Sequence, residues 1–351
     1  MTFEEFIMQA REMNASDIHL TVGAPTVVRV NGELRKYTEL SDQVVNRTIL
    51  SILSAEQEKM LTEGKDIDFS FELKNGARQR VNVFRQSGKL AACIRLLNAE
   101  IATLEELKMP PVLLEFAKKR RGLVLVTGPT GAGKSTTLAA LMEYINKTRA
   151  CHVITIEDPI EYRYKQEKAT IHQRELGRDV PSFHEALRSA LREDPDVILI
   201  GEMRDYETIS LAMTAAETGH LVFGTLHTSS AAQTVDRIID ACPIHSQDQV
   251  RSQLASMIQG IIAQTLIPRA DGKGRVAAVE VMIGTDAIRN LIRSAKINMM
   301  ETTMAAGARD GMCTLNASLA NLYKTGQISY ETALEYATDR GEMEKKLLSG
   351  I

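Results

Sequence analysis

The feature that most restricts the fold of this chain is the segment Gly128-Pro129-Thr130-Gly131-Ala132-Gly133-Lys134-Ser135. It fits the pattern Gly-x-x-x-x-Gly-Lys-Ser/Thr at every fixed position. An apolar run typical of a buried strand, residues 122–127, precedes it, and a helix-forming run, residues 136–145, follows it. Because this motif functions as a loop between a strand and a helix, both neighbours support the match.

This loop has the chemistry of a phosphate-binding site. Glycine has no Cβ, so the backbone N–H groups can turn inward around phosphate oxygens, and the N-terminus of the next helix adds positive potential. We expect Lys134 to neutralise the β- and γ-phosphates and the Ser135 hydroxyl to bind Mg²⁺. The residues expected to bind the nucleotide are Gly128, Pro129, Thr130, Gly131, Ala132, Gly133, Lys134, Ser135 and Thr136.

Adenine is the favoured base. P-loop proteins that are specific for guanine read it with an Asn-Lys-x-Asp element. The pair Asn146-Lys147 is followed here by Thr148-Arg149, so it does not continue as that element. We therefore expect ATP, although the sequence shows no base pocket.

The pattern before the P-loop differs from the pattern around it. Residues 1–97 predict a small α+β domain, with Asn31-Gly32 and Asn75-Gly76 as tight hairpin turns. Residues 98–111 contain a Pro-Pro pair and are interpreted as a linker. The helices are predicted at the N-terminus, 43–53 and 56–63, and the strands at 17–22, 27–30, 33–37, 66–73, 78–85 and 90–97.

Residues 112–351 predict an α/β domain. Strands at 122–127, 151–157, 197–200 and 221–225 alternate with helices, which indicates a mostly parallel sheet with helices on both faces. The helix at 182–192 is amphipathic, and Ser182 with Glu185 resembles a capping box at its start. After Ser229 we expect mainly helix, with one strand at 276–282.

Composition excludes several classes of protein. Hydrophobic residues make up 44% and charged residues 25%, as in soluble globular proteins, and the net charge of −3 provides no general attraction to nucleic acid. No apolar run approaches the roughly 20 residues of a membrane helix, and the acidic N-terminus does not resemble a signal peptide. A cytoplasmic location is expected. Four distant cysteines support neither a zinc knuckle nor a disulfide framework: Cys93, Cys151, Cys242 and Cys313.

Two acidic clusters lie where parallel strands are predicted to end. One is Glu157-Asp158-Pro159-Ile160-Glu161, and the other, Gly201-Glu202-Met203-Arg204-Asp205, directly follows the apolar run 197–200. The second cluster occupies the usual Walker B location but begins with Glu where Asp is commoner. Hydrolysis of a triphosphate needs a group that prepares water, a metal ion and positive charge on the γ-phosphate, so carboxylates at this edge are candidates for the first two.

Histidines and arginines supply further candidates. His220 and His227 flank the strand at 221–225, and their spacing does not fit a helical metal pair, so we expect no zinc site. His227 is a candidate hydrogen-bonding group near the γ-phosphate, and a structural role is equally open. Arg78 and Arg80 share one strand face by their period of two. Such side chains usually face solvent, but a strand is also a rigid platform from which guanidinium groups could reach a phosphate.

Taken together, these elements resemble the secretion-ATPase superfamily, most closely the type IV pilus retraction ATPases of the PilT family. The resemblance extends over almost the whole chain. The segments that carry it, besides the P-loop, are Ala15-Ser16-Asp17-Ile18-His19-Leu20, Thr155-Ile156-Glu157-Asp158-Pro159-Ile160-Glu161-Tyr162, Ala190-Leu191-Arg192-Glu193-Asp194-Pro195-Asp196, residues 201–205, residues 219–228 and Ala287-Ile288-Arg289-Asn290-Leu291-Ile292-Arg293.

The resemblance implies a PAS-like N-terminal domain, a flexible linker and a RecA-like domain, assembled as a homo-hexamer. Glu161 matches the family's general base, and Glu202 matches the Walker B glutamate that helps hold Mg²⁺. His227 and His220 match the histidine box. Arg80 and Arg95 match arginines that approach the γ-phosphate when the domains close.

The same resemblance implies an ATP-driven motor for pilus retraction at the inner face of the cell membrane, with an inner-membrane platform protein as partner. Pilus-extension and type II secretion ATPases are the alternatives, but they generally carry a tetracysteine zinc insert and extra N-terminal domains, and we expect neither feature here. Ser294 follows the retraction-type helix motif where many relatives have an acid, which is a departure from the pattern.

Two other functions remain open, a nucleotide-dependent scaffold without turnover and a RecA-like nucleic-acid translocase. The translocase is disfavoured by the net negative charge and by the absence of an obvious aromatic-basic stripe.

Overall fold

The chain is described here from a computed structural model, which defines residues 3–30, 32–73, 76–97 and 100–348. Asn31 and Asn75 of the two predicted hairpin turns, and Asn98 and Ala99 of the predicted linker, lie outside the described residues. The chain divides into two compact units. The first contains Met1–Glu100 and Pro159–Arg163, and the second contains Ile101–Asp158 and Tyr164–Ile351.

In its described residues, the first unit is an antiparallel sheet with three helices. Its six strands lie in the order β3-β2-β1-β6-β5-β4. One face of the sheet and the helices enclose a core that includes Ile7, Ile18, Ile49, Val81 and Ile94. The elements are α1 (Phe3–Glu12), β1 (Ala15–Thr21), β2 (Val27–Val30), β3 (Glu33–Lys36), α2 (Asp42–Leu50), α3 (Ala55–Thr62), β4 (Ile67–Glu72), β5 (Arg78–Gln86) and β6 (Lys89–Leu96).

The second unit is a seven-stranded sheet between helices. Its elements are α4 (Leu113–Ala117), β7 (Gly122–Thr127), α5 (Lys134–Thr148), β8 (His152–Glu157), β9 (Thr170–Glu175), α6 (Phe183–Ala190), β10 (Val197–Ile200), α7 (Tyr206–Glu217), β11 (Leu221–Leu226), α8 (Ala231–Asp240), α9 (Gln247–Met257), β12 (Ile258–Pro268), β13 (Arg275–Ile283), α10 (Asp286–Arg293), α11 (Met300–Ala306), α12 (Leu315–Lys324), α13 (Tyr330–Glu335) and α14 (Arg340–Leu348). The strand order is β13-β12-β7-β11-β10-β8-β9, and only the pairing of β12 with β13 is antiparallel.

Alternate residues of β7 face two different cores. Leu123 and Leu125 pack with the helices α6 to α10, whereas Val124 and Val126 pack with α4 and α5. Since side chains alternate between the faces of a strand, an all-apolar strand such as this one must be covered on both sides. The predicted α/β class, with a mostly parallel sheet and helices on both faces, is confirmed.

Helix starts follow local sequence signals. Ser54 and Gln57 form a complete capping box at the start of α3. Ser182 is the N-cap of α6, since its hydroxyl accepts a hydrogen bond from the backbone N–H of Glu185, which is one of the two bonds of the predicted capping box. Such caps satisfy N–H groups that have no partner inside the helix.

The region after Ser229 differs from the prediction. It contains two long strands, β12 and β13, and the expectation of a single strand there was wrong. β12 follows α9 without a turn residue, and it is buried on both sides, so its apolar residues do not alternate in the way that marks a strand. β9 was also not predicted, because this edge strand, Thr-Ile-His-Gln-Arg-Glu, is mostly polar.

Candidate functional site

Four neighbouring parallel strands of the second unit end at one edge of the sheet. β7 leads into the P-loop, β8 ends at Glu157, β10 leads to Glu202, and β11 leads to His227. The register of these strands aligns Thr127 with Leu226, and Ile200 with both Gly224 and Ile156. Ligands of open α/β sheets bind outside the carboxyl ends of the strands, so this edge is the candidate site.

The P-loop has the backbone that only glycine adopts readily. Gly128, Gly131 and Gly133 have φ angles of +144°, +78° and +87°. A Cβ on Gly131 would meet no atom within 4 Å, whereas one on Gly128 would overlap the backbone carbonyl of Gln264. Gly133 is the N-cap of α5, a helix of 15 residues. The loop therefore places a series of backbone N–H groups at a helix N-terminus, which is an anion-binding arrangement.

Lys134 lies across this loop. Its Nζ donates hydrogen bonds to the carbonyls of Gly128, at 2.6 Å, and Pro129, at 3.1 Å. Ser135 and Thr136 follow in the first turn of α5, where their side chains are half-buried. The ammonium group and these hydroxyls are thus held beside the glycine turn, as phosphate binding requires.

Glu202 is held by two donors. One of its oxygens, Oε1, accepts hydrogen bonds from Arg204 Nε at 2.7 Å and from His227 Nε2 at 2.8 Å. Burial raises the pKa of Glu202, but the bonds and charges of Arg204 and His227 outweigh it, so the pKa of the carboxyl lies below its ordinary value. Because an ionised carboxylate only accepts, His227 Nε2 carries the proton in this contact.

Glu157 is fixed from within the sheet. Its Oε1 accepts hydrogen bonds from Thr155 Oγ1 at 2.6 Å and from Gln173 Nε2 at 3.2 Å. Glu161 belongs instead to the short segment Pro159–Arg163, which groups with the first unit, where it is half-buried. The two carboxylates of one acidic cluster thus have different surroundings.

The two histidines lie at opposite ends of β11. His220 precedes the strand, and its Nδ1 lies 2.9 Å from the carbonyl oxygen of Ala215, whereas His227 follows the strand and contacts Glu202. A strand of six residues spans about 20 Å, so the two imidazoles cannot share a metal ion. Only His227 belongs to the edge that carries the P-loop.

Arg80 and Arg95 lie side by side in the first unit. They are directly paired in the register of β5 and β6, so both side chains project from the same face of that sheet. Arg80 donates to both oxygens of Asp68, and Arg95 donates to Asp17 Oδ1 at 2.9 Å. Both arginine side chains remain about half exposed. Arg78 differs, since it is only 4% exposed and is not a solvent-facing charge.

Two residues that contribute to the site, Arg204 and Gln264, were not indicated by the sequence motifs. Arg204 lies inside an acidic cluster, and its bond to Glu202 depends on the loop that follows β10. Gln264 lies on β12, the strand that was not predicted, and contacts the P-loop. The mainly apolar run at 258–267 is compatible with a buried strand, but no sequence pattern indicates which strand lies beside it.

The model of the family described as "Type II/IV secretion system protein" matches residues 1–344. The chain belongs to this secretion family. It is 50% identical over 339 residues to the type IV pilus retraction ATPase PilT of Pseudomonas aeruginosa, covering 96% of this chain and 98% of that protein. It is 48% identical to a twitching motility protein of Neisseria gonorrhoeae, covering 90% of this chain and 85% of that protein.

Solved structures support membership of the secretion family. A crystal structure of the pilus retraction motor PilT with bound ADP aligns at a TM-score of 0.91 and 47% identity, covering 98% of this chain and 99% of that one. The fold class predicted from the sequence, a RecA-like core with a smaller N-terminal domain, agrees with this neighbour. None of the helices in the described part of this chain has the length and apolarity needed to cross a bilayer.

Proposed function

We propose that this chain is an ATPase motor that drives retraction of type IV pili. The observation that carries the proposal is the common edge of β7, β8, β10 and β11, where a P-loop, two carboxylates and a histidine meet in a chain half identical to a pilus retraction ATPase. A triphosphate in the P-loop would present its terminal phosphate to these groups. The proposed outcome is hydrolysis of ATP to ADP and phosphate.

The P-loop residues hold the phosphates in this proposal. The N–H groups between Gly128 and Thr136 surround the phosphate oxygens, and Lys134 leaves the loop carbonyls to neutralise the β- and γ-phosphates. The Ser135 hydroxyl and the Glu202 carboxylate are hard oxygen ligands of the kind that Mg²⁺ prefers. Both follow strands that end at the same edge of the sheet as the P-loop. Bound Mg²⁺ would neutralise charge on the phosphates.

Glu161 is the proposed general base, and Arg80 and Arg95 are the proposed positive groups for the γ-phosphate. Glu157, whose Oε1 accepts hydrogen bonds from Thr155 and Gln173, is the alternative base. His227 would keep Glu202 ionised and oriented through their 2.8 Å contact. If the arginines act as arginine fingers do, their loss would slow turnover by about 10³–10⁵.

We also propose the assembly that the family resemblance implies. The motor would be a homo-hexamer at the cytoplasmic face of the inner membrane, with a pilus platform protein as partner. Pilus extension is the second candidate output, because Ser294 departs from the acidic residue that follows the retraction-type motif in many relatives.

A pair of matched variants tests the base assignment. Glu161→Gln should bind ATP with unchanged affinity and lose about 10²–10⁴ in steady-state phosphate release, because a neutral amide cannot take a proton from water. Glu157→Gln should retain most of the activity. The reverse ranking would assign the base to Glu157, and normal turnover in both variants would remove the acidic cluster from the mechanism.

A deletion strain tests the output of the motor. Cells that lack the protein should carry excess pili that do not retract and should fail to twitch. Bald cells would instead indicate extension. Restoration by the wild-type gene but not by a Lys134→Ala variant would tie the phenotype to nucleotide binding.

A further inference from the structure

A buried glutamine joins β12 to the P-loop. Gln264 is 3% exposed, and its Nε2 donates a hydrogen bond to the carbonyl of Ala132 at 2.7 Å. Its Oε1 accepts a bond from Thr137 Oγ1 in the first turn of α5, at 2.9 Å. Because the Ala132 carbonyl can only accept, the amide must present its nitrogen to the loop and its oxygen to the hydroxyl.

The bond to Ala132 fixes the direction of one phosphate donor. In a trans peptide the C=O of one residue and the N–H of the next point in opposite directions within one plane. Since the Ala132 carbonyl accepts its bond from Gln264, the N–H of Gly133 points away from Gln264. Rotation of this peptide would turn a carbonyl oxygen, instead of an N–H group, toward the phosphate.

The backbone of the same residue contributes too. The backbone oxygen of Gln264 is so close to Gly128 that it would overlap a Cβ there, and the Nε2 of Gln264 would be 3.1 Å from a Cβ on Gly133. One residue of β12 therefore contacts the first glycine, the last glycine and the carbonyl between them. This strand is adjacent to β7, with Ala263 paired to Thr127 at the point where the loop begins.

We propose that Gln264 is a positioning residue for the phosphates of the nucleotide, which holds the Ala132–Gly133 peptide so that the Gly133 N–H faces them. This inference rests on the proposed function, since it assigns a role inside the same cradle. It predicts that Gln264 affects the binding of any nucleoside diphosphate or triphosphate, with little dependence on the base.

The two bonds of Gln264 require a side chain with both a donor and an acceptor, which an amide provides. Leucine would fill the space but leave the Ala132 carbonyl and the Thr137 hydroxyl without partners in a buried place. Glutamate has the same shape, but an ionised carboxylate would set an acceptor against the Ala132 carbonyl. Gln264→Glu should therefore disturb the loop more than Gln264→Leu does.

The experiment compares variants at Gln264, Thr137 and Lys134 with a control variant in the full-length chain. Gln259, on the same strand, donates from its amide to the carbonyl of Arg121 at the other end of β7, so Gln259→Leu removes an amide-to-carbonyl bond that is exposed and lies away from the P-loop. The measured quantities are the dissociation constant of ADP, KM for ATP, kcat and the urea unfolding midpoint.

Gln264→Leu should weaken ADP binding about tenfold and raise KM for ATP by a similar factor, as expected for one lost buried hydrogen bond, with a smaller change in kcat. Gln259→Leu should stay near wild type in both quantities. Thr137→Val should weaken ADP binding less than Gln264→Leu does, and Thr137→Ser, which keeps the hydroxyl, should restore it. A purely structural role would lower the unfolding midpoint without this ranking of ADP affinities.

ADP affinity that is unchanged in folded Gln264→Leu would overturn the inference. If that variant does not fold, unchanged affinity in Thr137→Val overturns it. Lys134→Ala separates this failure from failure of the proposed function. Loss of ADP affinity in Lys134→Ala, with none in the Gln264 and Thr137 variants, refutes the role of Gln264 alone. Normal affinity in Lys134→Ala refutes the nucleotide cradle itself.

Discussion

Two glycines of the P-loop, three residues apart, should respond very differently to the same added methyl group. Both Gly128 and Gly131 have positive φ angles, +144° and +78°. A Cβ on Gly131 would enter open space, whereas a Cβ on Gly128 would collide with the backbone oxygen of Gln264. The pair therefore separates the cost of the backbone angle from the cost of the collision.

The expected magnitudes follow from these two terms. Gly131→Ala should lower the free energy of unfolding by about 1 kcal/mol, since a left-handed alanine costs roughly 1–2 kcal/mol and the stiffer unfolded chain returns a fraction of that. At Gly128 the backbone angle costs about 1–3 kcal/mol, and displacing β12 from the loop adds about 1–3 kcal/mol. Gly128→Ala should thus lose about 2–6 kcal/mol.

Circular dichroism during thermal and urea unfolding measures the difference, because the chain has no tryptophan to serve as a fluorescent probe. For a unit of this size the melting temperature falls by roughly 2–4 °C per kcal/mol, so the two variants should be clearly resolved. Gly128→Ala should also bind ADP more weakly than Gly131→Ala. Equal losses of stability in the two variants would refute the close approach of β12 to the P-loop.

Two further predictions concern buried or paired carboxylates. Glu280 is buried and accepts hydrogen bonds from backbone N–H groups at the starts of α8 and α12. Glu280→Ala should therefore lower the free energy of unfolding, measured by urea titration, by about 2–5 kcal/mol. A loss below about 1 kcal/mol would contradict this double capping role. The lowered pKa of Glu202 means that its ionised form stabilises the fold above its ordinary pKa of 4.5, and that this contribution is lost as the pH falls through the lower folded-state value. Glu202→Gln should therefore cost more stability at about pH 7 than at about pH 4 in nucleotide-free protein, and a cost that grows toward acid would contradict the ion-pair geometry.

Much of this protein follows from local sequence. The P-loop, the strands β7, β10 and β11, and the cap of α6 by Ser182 were all visible as short patterns. Each depends on residues within a few positions of one another, where φ angles, side-chain period and hydrogen-bond capping are decided. The α/β class follows because these local elements alternate along the chain.

Tertiary structure alone decided which of these parts meet. Gln264 reaches Ala132 across 132 positions, and His227 reaches Glu202 across 25, because parallel strands bring their carboxyl ends to one edge in an order unrelated to the chain order. The register of β5 and β6 likewise places Arg80 opposite Arg95. No local pattern encodes such pairings, since they depend on which strand becomes the neighbour of which once the core has closed around them.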